Sequence, residues 1–208
     1  MKVLLINGSP HKEGCTFTAL SEVADTLNKN GIETEIYHIG VKPIAGCIAC
    51  RKCHETGKCV FNDRVNELSV RLNEFDGIIL GSPVYYAGPS GQMCAFCDRF
   101  FFSNFGKFAG KLGAAVVSCR RGGATASFDR LNKYFTINNM PIVSSQYWNM
   151  VHGFTPDDVK KDKEGLQTMR TLGQNMAWLL KCIELGKNND INKPEYEPIT
   201  FTSFPDGK

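Results

Sequence analysis

Four cysteines carry the most specific chemistry in the chain: Cys47, Cys50, Cys53 and Cys59, spaced Cys-x2-Cys-x2-Cys-x5-Cys. A 4Fe-4S cluster needs four thiolates, and a tight C-x2-C-x2-C run reaches three irons from one turn of chain. A tetrahedral zinc site uses the same four sulfurs, although its ligand pairs are more usually separated by a longer loop. Disulfides are a third use of such a loop, and a loop that binds nothing is a fourth. The chain has 9 cysteines in all. The run before Asn7 is too short for a secretory signal, so a cytoplasmic, reducing setting is expected, where such thiols serve clusters, metals or redox chemistry. Cys94 and Cys97 share a helix face by their spacing and are read as core. Cys119 and Cys182 are read as filler.

A second constellation is the loop Gly8-Ser9-Pro10-His11-Lys12-Glu13-Gly14-Cys15-Thr16, which lies between an apolar run and a helical segment. A helix start offers unpaired N–H donors and partial positive charge, and Ser9, Thr16 and Thr18 add hydroxyl donors. The loop has neither the Gly-x-Gly-x-x-Gly spacing of a dinucleotide site nor the Gly-Lys-Ser/Thr ending of an NTPase loop. It suits a monophosphate. Two further segments, Gly81 to Met93 and Ser118 to Ala124, are rich in glycine and small residues that let backbone approach a flat ligand. Tyr85 and Tyr86 add aromatic packing. The three segments together predict one phosphorylated, planar molecule.

Short branched runs alternating with helical periods must hold these loops. Val3–Ile6, Ile32–Ile39, Ile78–Leu80, Ala114–Val117 and Ile142–Val143 read as strands. Apolar positions at helical spacing mark helices after Thr16, from Val65, from Gln92 and from Phe128. A last helix is capped by Thr155-Pro156-Asp157-Asp158 and runs to about Leu185. Five strands alternating with five helices predict an α/β, doubly wound, five-stranded parallel sheet with helices on both faces. All three small-residue segments follow strands, so they meet at the carboxyl edge where such sheets bind ligands. Residues 1–187 are expected to form one domain, with the cysteines in an insertion at 40–62 and an irregular tail at 188–208. Loops of that length inside a compact domain are usually functional. The 208 residues carry 24 Lys+Arg against 21 Asp+Glu, and the basic residues are not clustered. No nucleic-acid footprint and no membrane span are expected.

The Gly-Ser-Pro-x-x-x-x-Gly-x-Thr loop, Gly81-Ser82-Pro83-Val84-Tyr85 continuing into Ser90-Gly91-Gln92-Met93 and Asp98-Arg99, and Gly122-Gly123 resemble the flavodoxin-like NAD(P)H-dependent FMN reductases. The cysteine loop makes the chain similar to the iron-sulfur flavoprotein branch. The resemblance implies that Ser9, His11, Cys15, Thr16 and Phe17 surround the FMN phosphate. It implies that Pro83, Val84, Tyr85 and Tyr86, with Arg120, Gly122 and Gly123, line the isoalloxazine. His11 stands where the family typically has Arg, and Cys15 where it has Asn. An unperturbed imidazole, unlike a guanidinium, loses its charge near neutral pH, so phosphate affinity and its pH dependence are expected to differ. Cys94 replaces a common Lys.

By resemblance the activity is hydride transfer from NAD(P)H to FMN, then electron delivery to a quinone, another flavin or a ferredoxin-like protein, in a homodimer or homotetramer. The cofactor carries the chemistry, and no protein residue is expected to be catalytic. Trp148, with Tyr147 and His152, is read as packing after the last strand, with covering a neighbouring subunit's flavin as the second reading. The alternative function is an electron carrier with a 4Fe-4S cluster on the Cys47–Cys59 loop. A non-enzymatic zinc module is a third.

Overall fold

The computed structural model describes residues 1–202. β1 (Lys2–Asn7) reads Lys-Val-Leu-Leu-Ile-Asn and is buried from Val3 onward on both faces, as an interior parallel strand requires. β2 (Glu33–His38) is half exposed along its length, which suits an edge. β3 (Gly77–Tyr85) and β5 (Leu112–Cys119) complete the interior, and β6 (Met150–His152) closes the other side. The parallel order is β2-β1-β3-β5-β6, with the two-residue β4 (Gly88–Pro89) folded back antiparallel on β3. Strand order reverses between β1 and β3, so the crevice beyond Asn7 and Tyr85 is the place this topology reserves for a ligand.

α1 (Cys15–Lys29) and α7 (Lys163–Lys187) cover one face, where Leu20, Val23, Leu27, Met169, Leu172 and Met176 are fully buried. α3 (Arg64–Ser69), α4 (Gly91–Ser103) and α5 (Ala124–Thr136) cover the other, over a phenylalanine-rich core of Phe96, Phe100, Phe101, Phe108 and Phe135. A short α2 (Lys52–Thr56) lies inside the cysteine loop. Among the described residues no helix is long and apolar enough to cross a membrane.

Several details differ from the sequence expectation: β3 runs on through Gly81–Tyr85, expected as loop, and the helix expected from Val65 ends at Ser69, ahead of a separate 3-10 turn at Leu72–Glu74. The fifth strand is Met150–His152, paired with Val117–Cys119; Ile142 forms only a single parallel bridge to Gly113. The chain bonds at the start of β5, through Val143 N–H to the Gly113 carbonyl at 2.8 Å, then leaves the sheet and returns seven residues later. Trp148 and Tyr147 therefore precede the last strand. The last helix is also two helices: α6 (Pro156–Lys161), opened by a Thr155/Asp158 capping box, and α7. Asp162 breaks them with φ −74° and ψ 81°, and its carboxylate accepts from Gly165 N–H at 2.9 Å to start α7. α7 ends at Lys187, and residues 188–202 have no regular structure; the rest of the expected tail, 203–208, lies outside the described residues.

Candidate functional site

The first loop is shaped by its own side chains. Asn7 Oδ1 accepts from Ser9 N–H at 3.0 Å, its Nδ2 donates to the Lys12 carbonyl at 3.1 Å, and Ser9 Oγ accepts from His11 N–H at 3.1 Å. From the neighbouring strand, His38 Nε2 donates to the Ser9 carbonyl at 2.8 Å. α1 then begins after Gly14 with no side-chain cap and no acidic residue in its first turn. Its opening N–H groups are left for an anion, in a helix long enough to present a macrodipole. Ser9 Oγ keeps its own proton to donate, and His11 is exposed beside it. Phe17 is half buried. Three predicted phosphate contacts point elsewhere with their side chains, among them Thr18, whose Oγ1 donates to the Gly14 carbonyl at 3.2 Å. Thr16 Oγ1 is buried and shares a 2.8 Å hydrogen bond with Ser118 Oγ, while Cys15 Sγ turns to the Gly153 carbonyl at 3.8 Å. Burial pushes the Cys15 thiol up from its ordinary value. Cys15 and Thr16 still offer their backbone N–H groups at the helix start.

The second and third loops lock together. Tyr86 (φ 51°) and Ala87 (φ 57°) form a tight turn between β3 and β4, a left-handed pair usually given to Asn-Gly. Holding two non-glycine residues there stores strain, and it presents Tyr86 fully to solvent. Gly123, at φ +88° ahead of α5, has Ala87 packed on it: a Cβ would lie 2.6 Å from Ala87 Cα and 3.0 Å from Val84 Cγ1. Pro83 and Val84 are half buried, and Tyr85, Arg120 and Gly122 are exposed along the same edge. Ser90 joins the second loop to the first. Its Oγ caps α4 by accepting from Met93 N–H at 3.2 Å and donates to the Gly8 carbonyl at 2.8 Å.

The cysteine loop lies at the same end, ahead of α3 and over α4. Cys47 and Cys50 are exposed, and Cys53 and Cys59 are half buried; burial raises the Cys53 thiol. Ala49 (φ 52°) and Arg51 (φ 56°), flanking Cys50, are both left-handed, so the chain turns sharply on either side of that cysteine. The four cysteines, with Ile48, Arg51, Val60, Phe61, Arg99 and Phe102, line one cavity. No three His, Cys, Asp or Glu side chains among the described residues converge on a single-ion position. A lone metal needs sulfurs about 2.3 Å from one point, whereas a cubane spreads four thiolates over four irons. The four thiols that line this cavity are the number a cluster needs, so the donor set fits one.

Arg99 enters the sequence pattern only as part of the Asp98-Arg99 pair, and nothing in the sequence gives it a role. It is 1% exposed on α4, and each of its N–H groups has an acceptor. Nε donates to Cys59 Sγ at 3.2 Å, Nη1 to Asp63 Oδ2 at 2.6 Å and the Ala45 carbonyl at 3.3 Å. Nη2 donates to Asp63 Oδ1 at 2.9 Å and the Phe61 carbonyl at 3.2 Å. His38 was also missed; its place at the carboxyl end of β2, beside the phosphate loop, was the available signal.

The amino-acid pattern of the NADPH-dependent FMN reductase family matches residues 1–155, and the chain belongs to that family. It is a flavoprotein electron-transfer family on a flavodoxin-like fold. An iron-sulfur flavoprotein of Methanocaldococcus jannaschii is 37% identical over 192 residues, covering 88% of this chain and all of the relative. One from Methanosarcina thermophila is 28% identical over 194 residues, covering 91% of this chain and all of its own. The fold matches a WrbA-like flavodoxin from Agrobacterium tumefaciens with a TM-score of 0.63 at 19% identity, over 87% of this chain and 98% of the other. It also matches an NAD(P)H:quinone oxidoreductase from Methanothermobacter marburgensis with a TM-score of 0.63 at 13% identity, over 85% and 96%.

Proposed function

We propose that the chain is an FMN-dependent oxidoreductase that takes hydride from NAD(P)H, passes electrons to a quinone, flavin or protein acceptor, and carries a 4Fe-4S cluster on Cys47, Cys50, Cys53 and Cys59. The observation that carries the flavin reading is the uncapped start of α1 at the point where strand order reverses, faced by two interlocked glycine-containing loops. Bound FMN exchanges electrons singly or in pairs and a cluster singly, which lets the two work in series.

The chain's own residues bind and orient. The first turn of α1, Ser9 and His11 hold the phosphate, and His38 fixes the loop through the Ser9 carbonyl. Pro83, Val84, Tyr85 and Tyr86 pack along the ring, and Gly122 and Gly123 let backbone reach its polar rim. Backbone N–H groups of residues 120–124, with the Arg120 charge, stabilise negative charge on the pyrimidine side of the reduced ring. No side chain is needed as acid, base or nucleophile.

A second reading is an electron carrier with little NAD(P)H turnover, and the name iron-sulfur flavoprotein borne by the relatives supports the cluster on which it depends. An ultraviolet-visible spectrum of anaerobically purified protein, with iron and acid-labile sulfide assayed on the same sample, tests the cofactors. Flavin bands with about four irons per chain are expected; protein that stays colourless after incubation with FMN overturns both readings. Steady-state NAD(P)H oxidation with a quinone separates them, since a rate no faster than free FMN leaves only the carrier. The molar mass in solution is expected to be that of a homodimer or homotetramer.

A further inference from the structure

We propose that Arg99 is the positioning residue of the cysteine loop: its guanidinium fixes Cys59 and both ends of the loop, and its charge sets the potential of the cluster bound there. The proposal rests on the cluster reading above. A buried guanidinium loses several kcal/mol of hydration unless its donors are matched, and a bidentate carboxylate already serves that purpose. Asp63 is that carboxylate, at 2.6 and 2.9 Å. Three donors remain. Two go to the carbonyls of Ala45 and Phe61, which bracket the cysteines on either side, so one side chain closes the loop from both ends. The Phe61 ring, its centroid 4.9 Å from the guanidinium carbon, adds a cation–π contact.

The fifth donor is directed at sulfur. A neutral thiol is a weak acceptor, and a charged N–H aimed at it at 3.2 Å is poorly used unless the sulfur carries negative charge. A metal-ligating thiolate carries it. Hydrogen bonds to ligand sulfurs and local charge are the protein's means of setting a cluster's potential. One-electron reduction adds one negative charge and needs no proton, so a fixed guanidinium against Cys59 favours the reduced form. Asp63 offsets part of that effect from the guanidinium's other edge.

The test is an electron-paramagnetic-resonance-monitored redox titration of the full-length chain reconstituted with iron and sulfide. Arg99→Gln, which removes the charge, is expected to lower the cluster's reduction equilibrium at least tenfold, about 59 mV for one electron; Arg99→Lys, which keeps the charge but loses the directed N–H to Cys59, is expected to shift it the same way by less. Asp63→Asn, which retains an oxygen to cap α3, is expected to shift it in the opposite direction. A merely structural role would not give opposite signs, and unchanged or same-sign shifts overturn the tuning. If Arg99→Gln does not fold, the Arg99→Lys and Asp63→Asn pair decides. In metal-free protein, tryptic cleavage after Arg51, Lys52 or Lys58 is expected to be at least tenfold faster in Arg99→Lys; wild-type rates overturn the anchoring. Wild-type protein that takes up no iron overturns the cluster reading and the tuning with it. Four irons in wild type with unshifted variants overturns the Arg99 assignment alone.

Discussion

Thr16 Oγ1 and Ser118 Oγ lie 2.8 Å apart, both buried, and tie the start of α1 to the end of β5 beneath the ligand edge. One hydroxyl satisfies the other, so removing either leaves a buried polar group without a partner. Thr16→Val keeps the shape and is expected to cost about 1–2 kcal/mol of stability by urea denaturation. Adding Ser118→Ala is expected to recover part of that loss, as a double-mutant cycle will show. Because the contact proposed for Thr16 with the phosphate is its backbone N–H, FMN affinity is expected to fall less than threefold in Thr16→Val.

His11 is exposed at the mouth of the phosphate loop, and the Gly14 position is packed on it: a Cβ there would meet His11 Cβ at 2.9 Å. An arginine at position 11 carries its charge at any pH at which the protein folds and presents a fork to phosphate oxygens. His11→Arg is expected to tighten FMN binding roughly tenfold at pH 8, the scale of one charge-assisted hydrogen bond. Flavin fluorescence titration reads it, and an unchanged dissociation constant removes His11 from the phosphate site.

Loops whose chemistry is local were legible in the sequence, and relationships between distant segments were not. The apolar runs Val3–Ile6, Ile78–Leu80 and Ala114–Val117 and the Gly-Ser-Pro turn after β1 declare strand and turn within a few residues, although the second Gly-Ser-Pro, Gly81–Pro83, proves to be a continuation of β3. Arg99 gives no such local signal: its partners Ala45, Cys59, Phe61 and Asp63 come from a loop 36 to 54 residues earlier, and only the fold brings them to α4. β6 escaped because three residues, Met-Val-His, carry no period, and because Pro141-Ile142-Val143 bonds to the opposite end of β5 and offers the more apolar run. The break at Asp162 hides in a helical pattern because Asp serves equally as surface residue and as cap. Val84 to Pro89 reads as loop, since its left-handed turn is built from Tyr86 and Ala87 rather than the glycine that would announce it.

Glu35, on the edge strand, is held by the fork of Arg71 at 2.7 and 2.8 Å and by Lys2 at 3.0 Å. The Arg71 hydrogen bonds, outweighing burial, bring its carboxyl down to about 2. A carboxylate depressed in the folded state adds stability above its unfolded value, about 4.3, and that contribution fades as pH falls toward the folded value. With solvent screening at this partly exposed site, the contribution is about 1–2 kcal/mol at pH 7. Glu35→Gln is expected to show that deficit at pH 7, and urea curves at pH 3 are expected to show less than half of it. A gap that stays constant across that range would mean packing, not charge.

Gly123 is where the flavin loops depend on each other most directly. Its φ of +88° disfavours any side chain, and a Cβ would strike the backbone of Ala87, which cannot swing aside as a flexible side chain could. Gly123→Ala is expected to cost about 2 kcal/mol through the left-handed conformation and the displaced hairpin. The displacement moves Val84, Tyr85 and Tyr86 together, so FMN affinity is expected to drop more than tenfold. Gly122, open to solvent with nothing near its Cβ position, is the control: Gly122→Ala is expected to leave stability within about 0.5 kcal/mol of wild type. Equal losses in the two variants would show that the glycines serve loop flexibility, and that the Ala87 contact does not set the flavin edge.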